Sequence, residues 1–134
     1  MANKRVAVVT GAAHGMGSAI ADALRASGHT VHGVDRDQAD LSDSAEVTAY
    51  FEKIGQVDIL VNCAGGVVAQ TFKPLEEITD EAWLQILNAN LQTTFLCTRA
   101  VVSELKANIW GRIGNISSGA VRRFTLAAIK DSAS

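Results

Sequence analysis

The sequence predicts an α/β fold, a parallel sheet with helices on both faces. Three observations carry this. Short valine-rich runs recur at residues 6–9, 31–34 and 57–61, and each gives way to a polar or glycine-bearing turn. Runs of that kind are buried parallel strands. Between them lie segments with apolar residues at helical spacing, the mark of helices packed on one side. Strands alternating with helices build a parallel sheet, and right-handed crossovers fix its winding.

The elements follow in order. Residues 6–9 form the first strand and end at Thr10-Gly11. The next helix places Met16, Ala19, Ile20, Ala23 and Leu24 on one face, with Gly28 as its stop. Residues 31–34 are the second strand, ending at Asp35; residues 40–42 suggest a third, very short one. Asp43 and Glu46, three apart, form a capping-box variant before a helix bearing Val47, Tyr50, Phe51 and Ile54. Gly55 ends that helix, and residues 57–61 form the next strand. Thr79 then caps a long helix whose 3.6-residue period runs from Trp83 to about Lys106. Residues 112–117 are the last strand.

Composition narrows the function. The 134 residues are 48% hydrophobic and 19% charged, as expected of a single domain spanning 1–134 with a core of its own. A net charge of −2, with no basic run longer than Arg122-Arg123, argues against nucleic acid as a partner. No apolar stretch is long enough to span a membrane, and the segment after Lys4-Arg5 is too short for a signal-peptide core. Cys63 and Cys97 sit in apolar runs and read as buried thiols in a reducing, cytoplasmic setting. No metal site is expected.

The chemistry is expected after the first strand. Gly11, Gly15 and Gly17 lie between strand and helix, spaced four and two apart. This is not the Gly-x-Gly-x-x-Gly fingerprint, but the physics is the same. Glycines permit a tight turn and a close approach of backbone to a pyrophosphate, and the helix N-terminus offers free N–H groups to it. No Gly-x-x-x-x-Gly-Lys-Ser/Thr is present, which excludes a P-loop NTPase. Asp35 stands eighteen residues beyond Gly17, where an acidic side chain accepts ribose hydroxyls and repels a 2′-phosphate. That favours NAD over NADP, while the adjacent Arg36 could pair with a 2′-phosphate.

Four ordered motifs then define a resemblance. They are Thr10-Gly11-Ala12-Ala13-His14-Gly15-Met16-Gly17, Asn62-Cys63-Ala64-Gly65, Asn88-Ala89-Asn90-Leu91, and the run from Gly111 to Ser118. Together they resemble the short-chain dehydrogenases/reductases along the whole chain. A methyltransferase, the α/β alternative, lacks a reason for the second and fourth. The resemblance implies a Rossmann-type doubly wound sheet, here truncated after the fifth strand, and hydride transfer between NAD(H) and a carbonyl or alcohol. It implies that Gly11, Gly15, Met16 and Gly17 hold the pyrophosphate, and that His14 sits where NADP-preferring members often carry a basic residue. Asp40 and Leu41 match the pair at the adenine edge. Asn62, Ala64 and Gly65 match the turn beside the adenosine ribose, with Cys63 replacing the family's second Asn. Asn90 matches the catalytic asparagine that holds a water in a proton relay. Of Ser117 and Ser118, either of which fits a turn after a strand, the family register selects Ser118 as the substrate-orienting serine.

The pattern breaks near the end. The family's central acid is a tyrosine in Tyr-x-x-x-Lys, thirteen residues after the serine; that position holds Asp131. No Tyr-x-x-x-Lys exists in these residues, and Tyr50 is the only tyrosine. The family's back half has no counterpart, so the chain is expected to be a fragment, an engineered or prematurely ended product, or a remnant. The expected consequence is a polypeptide that does not turn over alone. The alternatives are a non-catalytic dinucleotide-binding module and a structural fragment needing a partner chain. Leu84, Leu91, Phe95 and Val102 form a second apolar stripe on the long helix, which the resemblance implies packs on the next helix and a partner subunit; the expectation is a homo-oligomer through residues 80–106, or else a complementary chain or poor solubility.

Overall fold

The computed structural model describes residues 3–66 and 74–118. In chain order the elements are β1 (Val6–Thr10), α1 (Gly15–Ala26), β2 (Thr30–Val34), α2 (Ser44–Ile54), β3 (Ile59–Asn62), a 3₁₀ turn (Leu75–Glu77), α3 (Asp80–Leu87), a π-helical turn (Asn88–Gln92), α4 (Thr93–Ala107) and β4 (Arg112–Asn115). The sheet order is β2-β1-β3-β4, and every pair is parallel. At β1 both faces are covered, which is why residues 6–9 are all apolar. Val8 packs with Val34, Val47, Phe51, Leu60 and Cys97 under α2 and α4, while Val9 packs with Ala21 and Val61 under α1. Alternation along the strand sends neighbouring valines to opposite faces.

Four expectations need correction. Residues 40–42 form a turn, not a strand, so the described sheet has four strands and ends at its fourth, not its fifth. The cause is local: the Asp40 carboxylate accepts hydrogen bonds from the Ser42 N–H at 2.9 Å and the Ser42 hydroxyl at 2.7 Å. Such side-chain bonds outcompete a strand ladder. The inward face of α1 is rotated from the expected one. Gly17 and Ala21 are buried and Ile20 and Leu24 pack beside them, whereas Met16 is 59% exposed. Close packing on the loop selected Gly17, which has no Cβ, over the long side chain of Met16.

The long helix is not continuous either. The π-helical turn divides it, and Trp83, expected on the core stripe, is 56% exposed. The Asn90 side chain donates to the Ile86 carbonyl, and the Thr93 and Thr94 hydroxyls donate to the Asn90 carbonyl. Side chains competing for helical carbonyls loosen the ladder there. Finally, Cys97 is fully buried but Cys63 only partly so; both are free thiols.

The caps behave largely as the residues dictate. Asp43 accepts from the N–H groups of Ala45 and Glu46, both at 2.9 Å. Glu46 does not complete the box on Asp43; it reaches the Asp40 N–H at 2.7 Å instead. Thr79 accepts from the Ala82 N–H. Gly28, with φ +88°, follows the end of α1 in a conformation that side chains rarely adopt. No helix among the described residues is long and apolar enough to cross a membrane.

Candidate dinucleotide site at the C-terminal edge of the sheet

Parallel strands leave their carboxyl ends on one edge. The sheet order puts the loop after β1 in the middle, with the loop after β2 on one flank and the loop after β3 on the other. Ligands of open α/β sheets bind at such a point, where the winding reverses.

The central loop is shaped by its glycines. Gly11 has φ +64°, and a Cβ there would lie 2.9 Å from the backbone of Ala64. Gly15 has φ +60° and open space around it. A Cβ on Gly17 would collide with the Gly11 carbonyl oxygen and lie 2.7 Å from its carbon. Gly17 therefore sets how closely α1 approaches the loop. His14 is the N-cap residue of α1 and makes no side-chain cap bond. No side chain of the N-cap residue competes for the first turn of this helix, whose N-terminal dipole favours an anion.

Asp35 flanks the loop on the β2 side. Its Oδ2 accepts from the Ala13 N–H at 3.1 Å and its Oδ1 from the Arg36 N–H at 2.9 Å. The carboxylate thus anchors the glycine loop and keeps lone pairs for further donors. Asp40 is exposed, and hydrogen bonds from the Ser42 side chain and backbone hold its carboxyl below the usual carboxylate range. The side chain of Leu41 is in the core, 6% exposed, beside Val34 and Val47.

On the other flank, Thr10 joins the loops after β1 and β3. Its buried hydroxyl accepts from the N–H groups of Cys63 at 3.0 Å and Ala64 at 2.9 Å. Asn62 is buried at the end of β3. Its Nδ2 donates to Asn115 Oδ1 at 2.8 Å and to the Thr98 hydroxyl at 3.2 Å, tying β3 to β4 and α4. Asn90 clamps the loop after β3. Its Oδ1 accepts from the Gly66 N–H at 3.0 Å, and its Nδ2 donates to the Gly66 carbonyl at 2.8 Å. A side chain on Gly65 would collide with the Asn90 carboxamide. Burial raises the Cys63 thiol, and raises that of Cys97 to about 12.

Ser117 and Ser118 follow β4, both exposed at this edge. Asp131 lies outside the described residues. The structure therefore brings together Gly11, Gly17, Asp35, Ala64, Gly65 and Asn90. Sequence reasoning gave no role to Thr10, Thr98 or Asn115. The available signal was a lone polar residue closing an otherwise apolar strand, as at Thr10.

The fold has known relatives. The sequence model described as short chain dehydrogenase matches residues 37–130. The chain belongs to the short-chain dehydrogenase family. It is 35% identical to a 2,3-dihydroxy-2,3-dihydro-p-cumate dehydrogenase of Pseudomonas putida, over 88% of this chain and 54% of that protein. It is 34% identical to a 3beta-hydroxysteroid dehydrogenase of Mediterraneibacter gnavus, over 94% of this chain and 54% of that protein. The crystal structure of a short-chain dehydrogenase from Streptomyces avermitilis superposes with a TM-score of 0.79 at 27% identity, covering 88% of this chain and 50% of that one. The chain spans about half the length of the curated relatives it matches. Members of this family are oxidoreductases that use nicotinamide cofactors.

Proposed function

We propose that this chain is the cofactor-binding half of a short-chain dehydrogenase that prefers NAD(H) and interconverts a carbonyl and an alcohol. The observation that carries the proposal is the Asp35 carboxylate, fixed on the Ala13 amide beside a glycine-shaped, side-chain-free helix N-terminus. The donor set fits a dinucleotide with an unmodified ribose. Helix N–H groups at residues 15–17 would hold an anionic pyrophosphate, and the Asp35 carboxylate would accept from ribose hydroxyls. The same carboxylate repels a 2′-phosphate, so NADP is disfavoured. Met16, being exposed, contributes its N–H rather than a packed side chain.

The cofactor, when bound, supplies the hydride. The chain's residues bind and orient. The Ser118 hydroxyl donates to the substrate oxygen. Both Asn90 Nδ2 hydrogens are spent on the Gly66 and Ile86 carbonyls, and Oδ1 has taken the Gly66 N–H. One lone pair on Oδ1 is left to accept from a water. Asn90 accordingly holds the loop after β3 and seats a water beside it.

A polypeptide of these 134 residues does not turn over on its own. Reduction needs a proton as negative charge develops on the substrate oxygen. Asp131 stands at the position of the family's tyrosine, so the chain offers no phenol there to deliver that proton. The loss of a general acid is typically worth ~10²–10⁴-fold. The test is steady-state NADH oxidation with a panel of ketones. It compares this chain with one carrying Asp131→Tyr and a family-like helix, lysine first, after Ser134. Faster turnover by the extended chain supports the reading, and equal rates place the acid elsewhere.

The proposed setting is cytoplasmic, which suits two free thiols. The proposed partner is a second copy of the chain. Trp83, Leu84, Leu91 and Phe95 are each more than half exposed along α3, the π-helical turn and α4. A patch of that kind marks an association surface. A substrate-free reading, in which the chain only binds dinucleotide, is separated by the same assay: NADH binding without turnover in either chain.

A further inference from the structure

The π-helical turn does more than carry Asn90. Two residues along, Gln92 reaches in a different direction. Its Nε2 donates to the Ser42 carbonyl at 2.6 Å, across fifty residues of sequence. Residues two apart on a helix lie on roughly opposite sides. One turn of helix therefore holds the loop after β3 with one side chain and the turn at 40–42 with the other. Those two segments flank the glycine loop on either side, as the order β2-β1-β3 dictates.

The turn at 40–42 is itself well organised. Asp40 binds Ser42 through backbone and hydroxyl, Glu46 takes the Asp40 N–H, and Asp43 N–H donates to the Asp40 carbonyl. These bonds set its shape. They do not set its distance from α4, because all of them are made within residues 40–46. Leu41 seats the turn in the core cluster that also holds Leu96, Cys97 and Val101 of α4, and Gln92 fixes its exposed backbone edge, seconded by Arg99, which donates to the Ser44 hydroxyl at 2.9 Å.

We propose that Gln92 is a positioning residue: its bond to the Ser42 carbonyl holds the turn at 40–42 against the adenosine half of a bound dinucleotide. The proposal rests on the dinucleotide reading above. Asp35 and the turn at 40–42 both lie on the β2 flank, so the half of the ligand on that side is the ribose that Asp35 engages and its base. Gln92 touches no ligand; it acts through the Ser42 backbone.

The test is AMP binding to the full chain by calorimetry, with the urea midpoint measured alongside, for Gln92→Leu, Gln92→Glu and Gln92→Lys. Leucine lacks the donor, ionised glutamate places an acceptor against the carbonyl, and lysine restores a donor with the needed reach. The expected result is AMP binding weakened about five- to tenfold by leucine and glutamate and recovered by lysine, because a turn no longer held must be ordered at the expense of binding. Gln92 is exposed, so the urea midpoints should stay close to that of the unaltered chain. Unchanged AMP affinity in Gln92→Glu overturns the proposal and leaves the dinucleotide reading intact. Equal weakening in all three variants also overturns it, because the donor would then not be the cause. Failure of the unaltered chain to bind AMP removes the dinucleotide reading itself, and this inference with it.

Discussion

Replacing Gly17 with alanine adds one carbon at the tightest point of the site. That carbon would collide with the Gly11 carbonyl oxygen and lie 2.7 Å from its carbon and 3.2 Å from the Ala12 Cα. Ordinary carbon contacts are about 3.5–4.0 Å, so α1 must retreat from the loop by roughly 1 Å. The neighbours are backbone atoms, so no side chain can swing aside. Overpacking of this kind costs about 1–3 kcal/mol, and alanine's helix preference returns about 0.5–1 kcal/mol. The net expectation is a loss of about 1–2 kcal/mol in urea unfolding. The retreat also moves the helix N-terminus from its anion, so NADH affinity should fall about tenfold, or about 1.4 kcal/mol. Gly28→Ala is the control. Gly28 has φ +88° with nothing within 4 Å, so alanine there costs about 1–2 kcal/mol of backbone strain far from the loop. Both variants should lose stability, and only Gly17→Ala should lose NADH. Undiminished NADH affinity in Gly17→Ala refutes the reasoning, as does equal loss in both variants.

Other expectations follow from single contacts. Thr10→Val strands the N–H groups of Cys63 and Ala64 and should cost about 1–3 kcal/mol in urea unfolding, with Thr10→Ser near the unaltered value. Asp35→Asn should weaken NADH by about 1.5–3 kcal/mol and NADPH by less, narrowing the preference in competitive titration; an unchanged ratio would assign the preference to Arg36 or His14. Cys97, its thiol raised by burial from 9.0 to about 12, should resist maleimide at pH 8 until the chain is unfolded. Because the folded value lies above the unfolded one, its contribution to stability is intact below pH 9 and is lost as pH rises toward 12, which alkaline urea titrations of Cys97→Ala against the unaltered chain would read. Leu91→Asp should shift a self-associating chain toward monomer in sedimentation velocity, since Leu91 is 66% exposed in the apolar stripe.

The alternation of strands and helices was legible because β1 and β3 are short, mostly apolar runs closed by a polar residue, Thr10 and Asn62. Both faces of the sheet must be covered, and the valines of β1 record that requirement directly. The glycine loop and Asp35 were legible because their residue types follow from backbone conformation and charge. What escaped the sequence was competition between side chains and backbone. Asp40 and Ser42 bend the segment that periodicity read as a strand. Asn90, Thr93 and Thr94 break the period of the long helix by bonding its carbonyls. The face of α1 was misjudged for a related reason. Helical spacing put Met16 on the inward face with Ile20 and Leu24, but close packing on the loop decided the matter, and Gly17 is buried there instead. Gln92 was invisible because its partner lies fifty residues away on another element.

The most direct measurement is a titration of the isotope-labelled chain with NADH, followed by backbone amide shifts. A single saturable site should appear, competed by ADP-ribose. The largest shifts should fall at residues 11–17, at Asp35 and along 40–42, with smaller ones at 64–66. Ser27, Gly28 and Asn108, at the far ends of α1 and α4, should stay still. NADH that fails to bind, or that moves amides elsewhere while residues 11–17 and Asp35 stay unmoved, contradicts a dinucleotide site at this edge of the sheet.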